Sequence, residues 1–116
     1  MGPDRRVFVV QRPAYRLQGK WVDKFDLRPA EEFGPLLFML PPGNVFYTDL
    51  ERAQTSVREL LTEHSFCEMD AILPVGDPLA IAICSVIASR ISPSGYHILK
   101  WDNREGIYQL LAVRFL

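Results

Sequence analysis

The chain has 116 residues, of which 48% are hydrophobic and 23% are charged, and its formal net charge is −1. This composition is typical of a single globular domain, and the small charge gives no overall field that attracts nucleic acid or an anionic membrane. The apolar runs are far shorter than the roughly 18 to 20 residues of a membrane span, and the first residues show no secretory pattern. We therefore expect residues 1–116 to form one cytoplasmic domain with no membrane contact.

The first third of the chain predicts one clear strand. Residues 7–11, VFVVQ, form a short apolar run that Pro13 ends. The apolar residues of segment 14–25 are too widely spaced for a confident strand, although Gly19 can turn a small hairpin, and we interpret this segment as irregular. At 26–34, the run DLRPAEEFG predicts one or two turns of helix, because proline and glutamates suit a first turn and glycine an end.

The middle of the chain predicts a strand followed by a surface helix. Residues 35–40 are continuously apolar and end at two prolines and a glycine. Thr48 and Glu51 match a capping box, and apolar residues then recur at helical spacing as far as His64. The opposite face of this helix is charged, which predicts an amphipathic helix on the surface.

The stretch from Ala71 to Ile91 predicts a buried strand, a sharp turn and a helix. Residues 71–75 are apolar with almost no alternation, which is typical of a central parallel strand. Gly76 permits a tight turn, and Pro78 suits a first helical position. The Asp77 carboxylate can accept hydrogen bonds from the free amides at the start of the helix. The helix from Pro78 to about Ile91 has little polar surface, so we expect it to be mostly buried.

The last part of the chain predicts an antiparallel hairpin. Residues 96–102 and 107–115 read as two strands, and the turn between them contains Gly106. Together these elements predict an α/β fold with a single domain. It has a β-α-β-α-β core with a largely parallel sheet, an N-terminal strand and the C-terminal hairpin. The position of the first strand in the sheet stays open.

A ligand site is one hypothesis for the turn after residues 71–75, because ligands bind at the carboxyl ends of parallel strands. We weigh it against a structural role, since the Asp77 carboxylate would occupy the helix amides and repel an anion. The sequence also lacks the GxGxxG and GxxxxGK[ST] patterns of phosphate-binding loops. The candidate ligand-binding residues are Gly76, Asp77, Asn44, Thr48 and Ser94.

The histidines and cysteines do not predict a metal site. His64, Cys67, Cys84 and His97 would all be needed for one zinc ion, and their spacing matches no common zinc pattern. Two cysteines are also too few for a disulfide framework. We expect neither a metal nor a cofactor and assign no catalytic residue.

Two surfaces are candidates for macromolecular contacts. Arg12, Arg16 and Lys20 lie among aromatic residues, which resembles a nucleic-acid surface, although an ordinary solvated surface is the more typical interpretation. The second hairpin arm is apolar on both faces, so something must cover it, and we expect a homodimer contact. The residues of that predicted interface are Trp101, Tyr108, Leu110 and Phe115.

Four segments together resemble a group of small uncharacterised proteins of tailed bacteriophages and prophages. They are VFVVQ, LLFMLPPG, LPVGDPLAIA and the LKWD hairpin. The resemblance implies a phage or mobile-element setting and carries no catalytic residue. The leading hypothesis is therefore an accessory protein that binds a host or phage protein, for example to antagonise a host defence complex. The alternatives are a nucleotide or small-anion site near Asp77 and a nucleic-acid-binding factor.

Overall fold

The computed structural model of the chain describes residues 4–43 and 49–115. The elements of these residues follow one another as β1 (Val7–Gln11), β2 (Ala14–Leu17), β3 (Lys20–Asp23), a 3-10 helix (Arg28–Phe33), β4 (Leu36–Leu40), α1 (Leu50–Glu63), β5 (Ala71–Leu73), α2 (Pro78–Ile91), β6 (Gly95–Asp102) and β7 (Ile107–Arg114). The order from β4 to β6 is the predicted β-α-β-α-β core, and β6 and β7 form the predicted hairpin.

Five strands form one sheet in the order β4-β1-β5-β6-β7. The strands β4, β1, β5 and β6 are parallel to one another, and β7 is antiparallel to β6. The first strand lies inside the sheet, because Val7 pairs with Leu36 on one side and with Ala71 on the other. This arrangement confirms the predicted fold and the central place of β5, and it fixes the position of β1.

The interpretation of residues 14–25 as irregular is wrong. Strands β2 and β3 form a separate two-stranded antiparallel sheet, in which Leu17 pairs with Lys20. Gln18 has a φ of 51° and Gly19 a φ of 77°, so both loop residues are left-handed. Two left-handed residues are the pattern of a type I′ turn, which suits the twist of a two-residue hairpin.

Both α-helices pack on the same face of the large sheet, because both contribute buried side chains to one core. Alternate strand residues point to the opposite face. The core on the helix side contains Phe8, Ile72 and Tyr96 from the strands, together with Val57 and Leu61 from α1. On the other face, a smaller core joins strand residues to the 3-10 helix. Its buried members are Val7, Val9, Leu27, Ala30, Ala71, Leu73, Leu99 and Tyr108.

Helix α1 is amphipathic as predicted, but its cap differs. The N-cap is Asp49, whose side chain accepts a hydrogen bond of 3.0 Å from the amide of Arg52. The proposed capping residue Thr48 lies outside the described residues. Aspartate and threonine are both good N-cap residues and are adjacent here, so the sequence does not show which of the two caps the helix.

Helix α2 has the predicted bounds but is less buried than predicted. A stripe of small residues, Ala80, Cys84 and Ala88, is fully buried. The outer face carries Leu79 and Val86, which are 39% and 55% exposed. Ile87 is also buried, and Ile81, Ile83 and Ile91 pack partly buried against the same core. The helix is therefore covered on one side only.

Candidate functional site

A crevice opens at the carboxyl end of the sheet because neighbouring strands end at different points. Strand β5 ends at Leu73, while β6 continues to Asp102, and Ile72 pairs with Ile98. The end of β6 therefore extends beyond β5. The space beside it has a volume of about 780 Å³, and we call it the carboxyl-edge crevice. Its lining residues are Phe25, Asp26, Leu73, Pro74, Val75, Ile98, Leu99, Lys100, Trp101, Asn103, Tyr108, Leu111 and Val113.

The lining of the carboxyl-edge crevice is mainly apolar. Leu73 and Leu99 are buried, whereas Phe25 and Trp101 remain 48% and 42% exposed. The Trp101 ring meets the Tyr108 ring edge-on, with centroids 5.0 Å apart, as expected for two aromatic residues paired across a hairpin. The crevice thus offers partly exposed aromatic surface next to a buried aliphatic wall.

Two ionisable groups in the crevice have pKa values that follow from their contacts. Hydrogen bonds from the side chain and amide of Arg28 lower the pKa of the Asp26 carboxyl. Burial raises the pKa of the Tyr108 phenol, and the charge of Asp26 raises it further. The phenol is therefore protonated at neutral pH and able to donate a hydrogen bond, while the Asp26 charge is already paired with a cation.

A second, more polar crevice of about 470 Å³ lies near the ends of β1 and β5. Gln11, at the end of β1, is 4% exposed and connects three chain segments. Its Nε2 donates to the carbonyls of Pro41 and Gly43, and its Oε1 accepts a 2.8 Å hydrogen bond from the amide of Asp77. A Cβ at Gly76 would lie 2.5 Å from the Gln11 side chain, so the turn requires glycine there.

Gln11 was not predicted as a site residue. The available signal was a polar residue that closes an otherwise apolar strand. Such a side chain must find partners if the strand end is buried.

Asp77 and Gly76, the first two candidate ligand residues, lie together in this second crevice. The Asp77 carboxylate accepts a 2.8 Å hydrogen bond from the amide of Leu79, which confirms that it caps α2. Ser94 is placed elsewhere, because it precedes β6 and so lies at the amino edge of the sheet, where its hydroxyl lies 3.4 Å from Glu68. Asn44 and Thr48 lie outside the described residues.

The amino edge of the sheet carries a buried ion pair. Asp70 is 1% exposed, and its carboxylate is 2.8 Å from Nη2 of Arg6. It also accepts from Nε and the backbone amide of Arg6 and from the amide of Cys67. These four hydrogen bonds join the start of β1 to the loop before β5, which gives Asp70 a structural role.

The four predicted interface residues do not have equal access to a partner. Trp101 is partly exposed, but Tyr108 is buried below it and Leu110 packs against the smaller core. Phe115 is 44% exposed and meets Tyr96 with ring centroids 5.4 Å apart. The exposed large apolar side chains of β7 itself are Ile107 and Leu111, at 50% and 46%.

Two of the three basic candidate residues have intramolecular partners. Nε of Arg12 is 2.8 Å from the Asp23 carboxylate, and the Arg16 guanidinium lies 5.2 Å from the centre of the Trp21 ring. Lys20 follows the β2–β3 turn. The hairpin therefore presents a mixed aromatic and basic surface in which part of the positive charge is neutralised.

Both histidines considered for zinc have a backbone partner, and one of the two cysteines, Cys84, is buried. Nδ1 of His64 and Nδ1 of His97 each lie within 3 Å of a backbone carbonyl, those of Leu60 and Glu68. Burial raises the pKa of the Cys84 thiol to about 12. Within residues 4–43 and 49–115, no group of three or more His, Cys, Asp or Glu side chains is placed to hold a metal ion.

No helix within residues 4–43 and 49–115 has the length and apolar character of a membrane span.

Comparison with curated proteins and with solved structures finds no significant match. A family model described as Phage Pam3 gp32-like protein matches residues 5–115. This match confirms the resemblance to phage proteins, and the chain belongs to the Phage Pam3 gp32-like protein family.

Proposed function

We propose that the chain is a phage accessory protein that acts in the host cytoplasm by binding a protein partner at the carboxyl-edge crevice. The observation that carries the proposal is the aromatic and aliphatic lining of this crevice, in which Trp101 and Phe25 keep about half of their side chains exposed. Exposed aromatic side chains beside a buried apolar wall are the usual centre of a protein interface.

The size and polarity of the crevice favour an apolar group of a partner as the occupant. A volume of about 780 Å³ is large enough to receive a large apolar side chain. The buried wall of Leu73 and Leu99 provides apolar contact, and the Tyr108 phenol provides one hydrogen-bond donor. Lys100 also lines the crevice and is exposed, but it lies between Leu99 and Trp101 in β6 and points to the opposite face, so the apolar contact is the one that the crevice favours.

The test compares two exposed tryptophans. Tagged wild-type chain, Trp101→Ala and Trp21→Ala are expressed in phage-infected host cells, and the proteins that each retains are identified by mass spectrometry. Affinity is then measured by calorimetry with the purified partner. We expect Trp101→Ala to weaken binding by about 30-fold, the loss typical of a central interface tryptophan. Trp21→Ala, which alters a side chain of similar exposure on the β2–β3 hairpin, should bind like the wild type.

A partner that Trp101→Ala retains with full affinity would contradict the proposal. Loss of binding through Trp21→Ala alone would move the contact to the β2–β3 hairpin. Thermal melting of both variants separates lost contacts from lost fold.

The two alternative functions stay predictions. The capping hydrogen bond of Asp77 supports a structural role for that residue more directly than an anion site. The ion pair between Arg12 and Asp23 reduces the charge available to nucleic acid near Arg16 and Lys20. Neither alternative gains a specific observation in its favour.

A further inference from the structure

The two edges of the large sheet differ in how open they are. Strand β4 has five residues, and Pro41 and Pro42 follow it directly, which discourages further strand pairing. Strand β7 has eight residues that pair with β6 without a bulge, and Arg114 is its one charged residue. Its apolar residues Ile107 and Leu111 are about half exposed. An edge of this length and character is a template for another strand.

The hydrogen bonds of the hairpin show which backbone groups of β7 point away from β6. The amide of His97 donates to Asp70 on the β5 side, and the amide of Phe115 donates to Ser94 on the β6 side. Backbone groups of successive strand residues point to opposite sides. Counting back from Phe115, the residues whose amide and carbonyl point away from β6 are Tyr108, Leu110, Ala112 and Arg114.

We propose that β7 pairs with β7 of a second copy of this chain, antiparallel and in a register that places Leu111 on the twofold axis. This register pairs Leu110 with Ala112 of the second copy and Tyr108 with Arg114 of the second copy. All four outward-facing residues of each strand are then used, which gives about eight hydrogen bonds. A shift of the axis to Leu110 or Ala112 leaves outward-facing groups of β7 without partners in the opposing β7 strand.

The side chains support a second copy as the occupant. In this register the two Leu111 side chains, each 46% exposed, meet directly across the axis. Arg114 lies opposite Tyr108 of the second copy rather than opposite its own equivalent, so no like charges face each other. The guanidinium then lies on the same sheet face as the aromatic pair Trp101 and Tyr108, where cation–π contact is favourable.

The proposed contact extends along the whole of β7. Eight strand residues span roughly 27 Å, and the join produces one continuous ten-stranded sheet. Leu111 and Tyr108 also line the carboxyl-edge crevice, but the proposal rests on the outward-facing edge of β7, and its tests use the purified chain without any other partner.

A disulfide test reads the register directly. In a Cys67→Ser background of the full chain, Leu111→Cys places the two introduced thiols on the axis, in a closely spaced pair with Cα atoms about 4.5 Å apart. We expect nearly complete disulfide-linked dimer under mild oxidation. The control Gln109→Cys places its own pair roughly 14 Å apart and should not cross-link with itself. A mixture of Gln109→Cys and Val113→Cys should cross-link, because these positions face each other in the register.

A second test removes one outward-facing amide. Ala112→Pro deletes a donor at the edge without affecting the β6 ladder, so the variant should keep the wild-type circular dichroism spectrum but lose the dimer mass in light scattering. Ala112→Val keeps the amide and should remain dimeric. Monomeric wild-type chain at hundreds of micromolar would overturn the proposal. Equal cross-linking of Leu111→Cys and Gln109→Cys, or a dimer that survives Ala112→Pro, would also overturn it.

Discussion

Replacing Asp70 by alanine tests whether the buried ion pair at the amino edge holds β1 to the loop before β5. The carboxylate is 1% exposed and accepts four hydrogen bonds, three of them from Arg6 and one from Cys67. Asp70→Ala leaves two backbone amides and a guanidinium without their acceptor. Loss of one partner of a buried pair costs about 3 to 5 kcal/mol. Because the Arg6 side chain is 26% exposed and can regain water, we expect the lower end, about 3 kcal/mol.

The matched control is Asp23→Ala, which breaks an ion pair of equal length whose partners are 39% and 60% exposed. An exposed pair contributes less than about 1 kcal/mol. Urea unfolding followed by circular dichroism should therefore show a midpoint lower by roughly 2 M for Asp70→Ala, against well under 1 M for the control. In thermal melting the same loss corresponds to roughly 12 °C. Equal destabilisation by the two substitutions would refute the reasoning.

Three further predictions concern local features. Gly95→Ala would place a Cβ 2.0 Å from a β7 carbonyl at a φ of +136°. The substitution should lower the free energy of unfolding by at least about 2 kcal/mol, as measured by thermal melting. The loss should be smaller for Gly106→Ala, where no atom lies within 4 Å of the added Cβ. At pH 8 a thiol reagent should modify Cys67 in the folded chain and reach Cys84 only on unfolding, because burial raises the Cys84 pKa to about 12. Asp77→Ala should destabilise by about 1 kcal/mol and Asp77→Asn by a few tenths, as denaturant unfolding would show for a cap.

The core of the fold was predictable because its signals are local. The continuous apolar runs at β1, β4 and β5 indicate strands covered on both faces, and glycine, aspartate and proline mark the start of α2. The hairpin was predictable for the same reason, since two strand patterns flank a short turn with Gly106. Each of these signals lies within a few residues of the element that it specifies.

The position of β1, which the sequence left open, and the two wrong predictions depend on distant parts of the chain or on weak local signals. The apolar strand β1 must be buried. Both an interior position in the sheet and an edge position covered by another segment satisfy that requirement. The β2–β3 hairpin turns at Gln18 and Gly19, and glutamine is an uncommon residue at a left-handed position, so the turn signal was weak. For α2, apolar residues on all sides left the sequence without a periodicity that identifies the packed face.

The candidate site was only partly predictable. The sequence indicated that Asp77 lies at the carboxyl end of the sheet, but the carboxyl-edge crevice depends on β5 ending before β6, which the strand patterns do not specify. Phe25 and Tyr108 come together there from distant parts of the chain. Ser94 was assigned to the wrong edge. It lies in the loop before β6, at the amino edge of the sheet, whereas Asp77 lies in the loop after β5, at the carboxyl edge.

The interior position of β1 has a consequence for synthesis of the protein on the ribosome. Val7 pairs with Ala71, so the strand VFVVQ leaves the ribosome 64 residues before one of its two neighbours exists. At ordinary translation speeds this interval lasts roughly 3 to 13 seconds, during which a strand that is fully buried in the folded protein is exposed. Arg5, Arg6 and Arg12 flank the strand, and charges in these positions oppose aggregation of such a segment while it waits.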